Sequence, residues 1–319
     1  MEKRSDKNEE NETPRQKVLV VYNPIAGSRS SMLEQTLKNL ETLGVQVALR
    51  ETKGPGDGET LCKEAIRQEP YSAVVAAGGD GTINEVANGL LGAATPLGLI
   101  PLGTINLLAM ETGLAKDPEW AARTIAFGPA RPINVGWVNG RAFLLMVGAG
   151  YDGRVVAGVS SNLKNVIGKG AYGVAGLKEF FFNSPARLVV DADGCEYEAA
   201  WAVVSNSSLY GGNFLLAPSA DLQSPGFTVS LIPGKTQWDL LRGMTAVWRD
   251  RKADQGWKQL NSVNRITIRS EQDEPAQMDG DYFAPLPLTI TQAPQSLDLI
   301  TPPRGGWEFR AALALLTSP

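Results

Sequence analysis

An α/β half followed by an antiparallel β half is the architecture that three features of this 319-residue chain predict. Short apolar runs alternate with amphipathic stretches from residue 17 to about 130. From about 131 onward strand-like runs follow one another across turns, and in the first half several runs end in Gly-rich loops. Strand–helix alternation implies a parallel sheet covered on both faces, whereas successive strands with tight turns imply an antiparallel sandwich. The chain therefore divides into a tail (1–15), an α/β domain (16–130), a β-sandwich domain (131–301) and a C-terminal segment (302–319).

Residues 18–22, Val-Leu-Val-Val-Tyr, open the first half as a strand, and a loop follows over 23–28. Leu33, Leu37 and Leu40 then mark a helix that ends near Gly44. A second strand covers 45–49, and Leu61, Ala65 and Ile66 place a helix after it. The run 72–77 is a third strand. Ile83, Val86, Ala87, Leu90 and Leu91 form one apolar stripe on the helix that follows. Residues 97–101 are a fourth strand. Asp117 as N-cap and Pro118 in the first turn open one more helix, which Gly128-Pro129 closes. In the second half, strands are expected over 141–147, 188–191, 196–205, 227–232, 265–269 and 297–300. Asp193-Gly194 supplies a hairpin turn, and helices are expected near 171–182 and 237–249. Trp307, Phe309, Leu313 and Leu316 in the last segment read as a helix packed back on the protein, with an amphipathic membrane contact as the other reading.

Composition narrows the chemistry. A net charge of −4 gives no global footprint for nucleic acid, which is not expected as a partner. Two cysteines, Cys62 and Cys195, fit neither a disulfide framework nor a zinc site and agree with a reducing cytoplasm. The chain has no histidine. Catalysis through Ser-His-Asp, Cys-His or a His-ligated metal is excluded, and acid–base work falls first to carboxylates. No apolar run reaches the length of a membrane span, and the charged N-terminal stretch lacks the apolar core of a signal peptide, so it reads as a disordered tail.

The sharpest motif is Gly78-Gly79-Asp80-Gly81-Thr82, between the third strand and its helix. Such a turn combines unblocked backbone N–H groups with the positive end of a helix, which is what a phosphate requires. In a parallel sheet, ligands collect beyond the carboxyl ends of the strands. Three loops leave such ends, at 23–28, 78–82 and 103–106. They carry the hydroxyls of Thr82 and Thr104 and the amides of Asn23, Asn84 and Asn106, and together describe a phosphate cradle without a Walker lysine. Asp80, the carboxylate within the turn, could hold Mg²⁺, orient a hydroxyl, or bond backbone N–H groups. Residues 148–153 match G-x-G-x-x-G, but no second strand ending in an acid follows at the required distance, so a dinucleotide site is not expected. Late in the chain, Met278-Asp279-Gly280-Asp281 places two carboxylates one residue apart, able to divide the tasks of base and orienting group or metal ligand.

Taken in order, these motifs resemble the diacylglycerol kinase catalytic family, meaning the bacterial soluble lipid kinases together with sphingosine and ceramide kinases. The resemblance rests on Asn23-Pro24-x-x-Gly27, the Gly78–Thr82 turn with Asn84-Glu85, and Pro101-x-Gly103-Thr104-x-Asn106. It continues through Gly148-x-Gly150-x-Asp152, Gly168-Lys169-x-Ala171-Tyr172, Ser205-Asn206, Tyr210-Gly211-Gly212, Ala217-Pro218-x-Ala220 and Asp279-Gly280-Asp281. It implies an N-terminal nucleotide-binding domain, a C-terminal β-sandwich and an active site in the cleft between them. ATP would bind at Asn23, Pro24, Gly27, Thr52, Gly78, Gly79, Asp80, Gly81, Thr82, Asn84, Glu85 and Thr104. Mg²⁺ would offset charge, with Asp80 as its candidate ligand. Asp281, Asp279 and Asp80 would form the catalytic set, with Asp281 as base toward a lipid hydroxyl. The lipid would be met at a membrane surface by a cytoplasmic, peripheral protein, and a homodimer is left open. Three positions depart from the family pattern: Leu107 where many members have Asp, Asp281 where they have Glu, and residues 221–226, which lack the acidic pair of a structural Mg²⁺ site. That metal site is not expected. An NAD kinase-like phosphotransferase and a nucleotide- or lipid-binding protein without turnover are the alternative readings.

Overall fold

The computed structural model of the chain describes residues 13–25, 31–114, 116–158, 179, 184–212, 214–234, 236–248 and 257–302. Gly27, the stretch 168–172, most of the helix expected over 171–182 and residues 303–319 lie outside them. The first half forms as its pattern predicts. Strands β1 (Lys17–Tyr22), β2 (Gln46–Glu51), β3 (Ala73–Gly78) and β4 (Leu97–Pro101) pair in parallel in the order β2-β1-β3-β4. Helices α1 (Ser31–Thr42), α2 (Asp57–Gln68) and α3 (Asp80–Leu90) connect them. The uninterrupted apolar runs of β1 and β3 follow from burial on both sheet faces. Val18 and Val20 pack with Leu33, Leu40 and Ile125 on one face, whereas Leu19 and Val21 pack with Cys62, Ile83 and Val86 on the other. After β4 come the one-turn helix α4 (Leu107–Glu111) and α5 (Pro118–Phe127), whose N-cap Asp117 accepts the Trp120 N–H at 2.7 Å.

The second half is a sandwich of two antiparallel sheets. One holds β6 (Gly136–Val138), β7 (Arg141–Phe143), β9 (Leu188–Ala192), β10 (Cys195–Ala199), β16 (Ile266–Ser270) and β19 (Leu288–Gln292). The other holds β8 (Met146–Gly150), β11 (Trp201–Ser205), β14 (Phe227–Ile232), β15 (Lys258–Val263), β17 (Pro275–Met278) and β18 (Asp281–Pro285). Alternating residues from both sheets, among them Val147, Val190, Val204, Val229, Ile268 and Ile290, interdigitate as its core. A hairpin of β12 (Leu209–Tyr210) and β13 (Phe214–Leu215), helix α6 (Tyr151–Gly158) and helix α7 (Gln237–Trp248) complete this half. Among the described residues no helix is long and apolar enough to cross a membrane.

The structure corrects several sequence expectations. The run 196–205 is two strands, because the chain leaves one sheet and enters the other at Ala200. The run 141–147 breaks at Leu144-Leu145, whose N–H groups leave the ladder for a side chain described below. Strands β15 and β18 are edges and β17 is short and opens on Pro275, so none carries the alternating pattern of a half-buried strand. Arg15 belongs to the fold and not to the tail: its guanidinium donates to the carbonyls of Ile125 and Gly128, both at 2.8 Å.

Both ends of the second half also move. Strands β5 (Ala130–Ile133) and β20 (Leu297–Ile300) join the first sheet, giving the order β2-β1-β3-β4-β20-β5. The chain thus crosses between the halves twice, at 134–135 and 293–296, and the crossings are tied together by Ala293 N–H donating to Val135 O at 2.8 Å. Strand β20 lies between β4 and β5, and Leu299 within it is fully buried. Leu299→Ala is expected to destabilise the protein by about 2–5 kcal/mol. A lowered urea midpoint at unchanged m-value is the measurement that checks it.

Candidate active site between the two halves

The loops after β1, β3 and β4 meet. Gly78 ends β3, and its carbonyl accepts N–H groups from Leu102 at 3.0 Å and Gly103 at 3.2 Å, and the Asn106 amide at 2.7 Å. A Cβ on Gly78 would stand 2.5 Å from Thr82 Oγ1, and one on Gly103 would stand 2.7 Å from Gly79 Cα. Glycine at 78 thus makes room for Thr82, and glycine at 103 lets the two turns touch backbone to backbone. Asn106 sits in the left-handed region (φ 56°) as N-cap of α4, and its buried Oδ1 has no hydrogen-bond donor among the described residues. From the β1 loop, Asn23 Nδ2 donates to Thr82 Oγ1 at 3.1 Å, while its Oδ1 accepts the Ile25 N–H at 3.0 Å. Pro24 follows it, half-buried. Thr52, just past β2, is buried beside the same sheet end, with its N–H on Tyr22 O at 2.8 Å. Thr104 is exposed at the rim. Asn23, Thr82, Gly78, Gly79, Gly103 and Asn106 are thereby gathered around the N-terminus of α3, whose first N–H groups have no intrahelical acceptors.

Asp80 braces this cradle. Its carboxylate accepts the N–H groups of Leu107 at 3.0 Å and Leu108 at 3.4 Å, capping α4. The far end of α4 reaches the sandwich, where buried Glu111 accepts the Ser207 hydroxyl at 2.9 Å and the Ser208 N–H at 3.1 Å. Two other residues of the motif turn away from the cradle. Glu85 accepts the N–H groups of Gly56 at 2.8 Å and Gly58 at 2.9 Å, so it fixes the start of α2. Asn84 donates to Ala142 O at 3.0 Å and to Asp279 Oδ2 at 2.9 Å, so it ties α3 to the second half.

Asp279 and Gly280 form the two-residue turn of the β17–β18 hairpin, with φ 51° and 92°, the backbone that Asp-Gly favours. This conformation aims the Asp279 carboxylate inward. Oδ1 accepts the N–H groups of Leu145 at 2.9 Å and Met146 at 3.0 Å; Oδ2 accepts Leu144 N–H at 2.9 Å together with Asn84. Burial pushes the Asp279 pKa up, and these four donors restrain the rise. Four donors thus occupy the Asp279 carboxylate. Asp281 is exposed on the next strand, and a Cβ built on Gly81 would lie 3.1 Å from its Oδ2. One carboxylate from the second half therefore stands over the glycine turn of the first.

Sequence reasoning missed Asn88 and Gln277. Asn88 Oδ1 accepts Ala142 N–H and its Nδ2 donates to Ala142 O, both at 3.1 Å, so its amide pairs with the β7 backbone as another strand would. The signal was present: Asn84 and Asn88 stand four apart on a helix whose other buried positions are mostly apolar, and a buried amide requires partners.

Asn84→Leu strips donors from Ala142 O and Asp279, and is expected to cost about 1–3 kcal/mol in urea denaturation. Asp80 gives a pH test. Burial first, and then the charge of Asp281, raise its pKa, against the lowering effect of the Leu107 and Leu108 N–H groups and Lys116. A carboxyl whose pKa is raised in the fold favours the folded state below the unfolded value, about 4, and loses that contribution as pH climbs to the raised value. The melting temperature of Asp80→Asn relative to wild type should therefore rise with pH across that window and level off above it.

Comparison with known proteins places both halves. The family described as "Diacylglycerol kinase catalytic domain" matches residues 17–138, and that described as "YegS C-terminal NAD kinase beta sandwich-like domain" matches 145–301. The diacylglycerol kinase of Bacillus subtilis (strain 168) is 30% identical over 290 residues, covering 89% of this chain and 95% of that protein. The diacylglycerol kinase of Staphylococcus carnosus (strain TM300) is 28% identical over 296 residues, covering 90% and 96%. A crystal structure titled as a diacylglycerol kinase from Bacillus anthracis str. Sterne shares the fold with a TM-score of 0.68 at 20% identity, covering 91% of this chain and 98% of that one. A second structure from that strain gives a TM-score of 0.76 at 22% identity, covering 92% and 98%. With similarity running through the cradle, the sandwich and the turn that joins them, the chain belongs to the diacylglycerol kinase family.

Proposed function

We propose that this protein transfers the γ-phosphoryl group of ATP to the hydroxyl of a lipid, diacylglycerol or a related acceptor, in the gap between its two halves. The observation that carries this reading is the Asp281 carboxylate standing over Gly81. An acid delivered by one half faces the glycine turn of the other, with space-making glycines on the cradle side. The α3 N-terminus and the backbone of Gly79 and Gly81 would receive phosphate oxygens, with the Asn23–Thr82 pair closing one side. The acceptor hydroxyl gives its proton to Asp281 as its oxygen attacks the γ-phosphorus, and ADP leaves. Little covalent chemistry falls to the protein in such a transfer, and positioning with electrostatics supplies most of the catalysis. The lipid would be met at a membrane surface.

Mg²⁺ fits this arrangement as a partner of ATP. Among the described residues no group of three or more His, Cys, Asp or Glu could hold a metal ion. Asp80 and Asp281 are near enough that the second raises the pKa of the first. Mg²⁺ is commonly held by one or two carboxylates together with substrate phosphates, and Asp80 would be its carboxylate here, with Asp281 left to act as base. Bound so, it would neutralise charge on the phosphates.

Labelled ATP offered over a panel of diacylglycerol, ceramide, sphingosine, phosphatidylglycerol and NAD tests the proposal. A labelled lipid is expected, and Asp281→Asn should lower kcat by about 10²- to 10⁴-fold. Asp281→Glu should keep measurable transfer. ATP binding without any lipid product would leave a binding protein, and labelled NAD would favour the NAD kinase-like reading.

A further inference from the structure

A second anchor holds the turn that carries Asp281, on the side away from Asp279. Asp152, at the start of α6, is 4% exposed, and Gln277 in β17 is 2% exposed. The Tyr210 hydroxyl donates to Asp152 Oδ1, and Gln277 Nε2 donates to Asp152 Oδ2 at 2.8 Å. Gln277 Oε1 accepts the N–H of Gly280 at 2.8 Å. The orientation of the amide is fixed by chemistry: a peptide N–H only donates, so Oε1 faces Gly280 and Nε2 faces Asp152. The path Tyr210–Asp152–Gln277–Gly280 is therefore continuous, and it ends on the residue between Asp279 and Asp281. Gly148 makes it possible: a Cβ there would lie 1.7 Å from Asp152 Oδ2 and 2.8 Å from Gln277 Nε2.

We infer that Gln277 is a positioning residue for the Asp281 carboxylate. The inference rests on the phosphoryl-transfer reading above. The Asp279 clamp holds the turn by its side chain, but Gly280 has none and can be held only through its backbone. Gln277 supplies that hold from a strand with no freedom to follow a drifting turn, because its neighbours Ala276 and Met278 are paired to β8. Without it, the Asp279–Gly280 peptide loses the hydrogen bond that ties it to β17, and the base moves relative to Gly81. Misplacement of a reacting group by about 1 Å costs on the order of 10²-fold in rate. Substrate binding to the cradle does not pass through this path.

The test is Gln277→Met, which keeps an unbranched side chain of similar size and removes both hydrogen bonds, with Gln277→Leu beside it. Two readouts separate positioning from general stability. kcat should fall by about 10- to 100-fold while the KM for ATP stays within about twofold. Hydrogen exchange in peptides covering 279–283 should speed up at least about tenfold, with exchange in α3 unchanged. A kcat within twofold of wild type, or a loss in kcat with no change in exchange at the turn, overturns the inference. If neither variant folds, the wild-type protein decides. The Gly280 amide must exchange slowly although its residue is exposed, and fast exchange there also overturns it. Slow exchange in a wild-type protein that phosphorylates no lipid would leave the anchor standing and remove the proposed function.

Discussion

One carboxylate holds the two halves in register. Asp279 accepts three consecutive backbone N–H groups from residues 144–146 and the Asn84 amide from α3, so a single side chain joins the hairpin, the β7–β8 corner and the first domain. The three peptides could not donate to one acceptor while in a sheet ladder, where successive N–H groups point to opposite sides. The break at Leu144-Leu145 is the consequence, and the buried charge is tolerable because every lobe of it meets a donor. Removing either side of this arrangement would leave polar groups without their partners, a loss larger than the net worth of one hydrogen bond.

The same device recurs. Asp80 caps α4, Glu85 caps α2, Glu111 receives Ser207 and Ser208, and Asp193 in the other Asp-Gly hairpin accepts the N–H groups of Asn264 and Arg265. Each acid satisfies N–H groups that a helix start or a turn would leave without acceptors. In a chain with no histidine, carboxylates thus supply much of the structural bracing. Asp80, Glu85 and Asp279 each use their carboxylates on N–H groups of this kind, whereas Asp281 stands exposed on the strand that follows the turn.

What could be read from the sequence was what local pattern encodes. Apolar runs and stripes located β1, β3, β4, α1, α2 and α3, because burial on one or both faces is written into the spacing of a single segment, and the cap residues Asp117, Pro118 and Gly128 located α5. The Gly78–Thr82 turn was legible because close backbone approach requires glycine. Partnership across the fold was not. Nothing local distinguishes Leu297–Ile300, which enters the first sheet, from a strand of the sandwich, and nothing in residues 196–205 marks the change of sheet at Ala200. Asn84 and Glu85 lie two and three residues past the glycine turn, and the family resemblance counted them with it as nucleotide contacts. Helix geometry carries them around α3 by about 100° per residue, toward the second half and toward α2 instead.

The same geometry bears on Asp281, a shorter acid than the Glu found in its family. An acid one methylene shorter reaches less far, and the deficit must be met by the surface it faces. That surface is Gly81, the one residue type that adds no side chain between the backbone and the carboxylate. The hairpin delivering Asp281 is held at Asp279 by four donors and at Gly280 by Gln277, so its approach to α3 is set by the frame and not by side-chain length. A short side chain on a fixed turn has fewer rotatable bonds to order than a longer one. In the fold, this shorter acid faces a glycine and stands on a turn held through both Asp279 and Gly280.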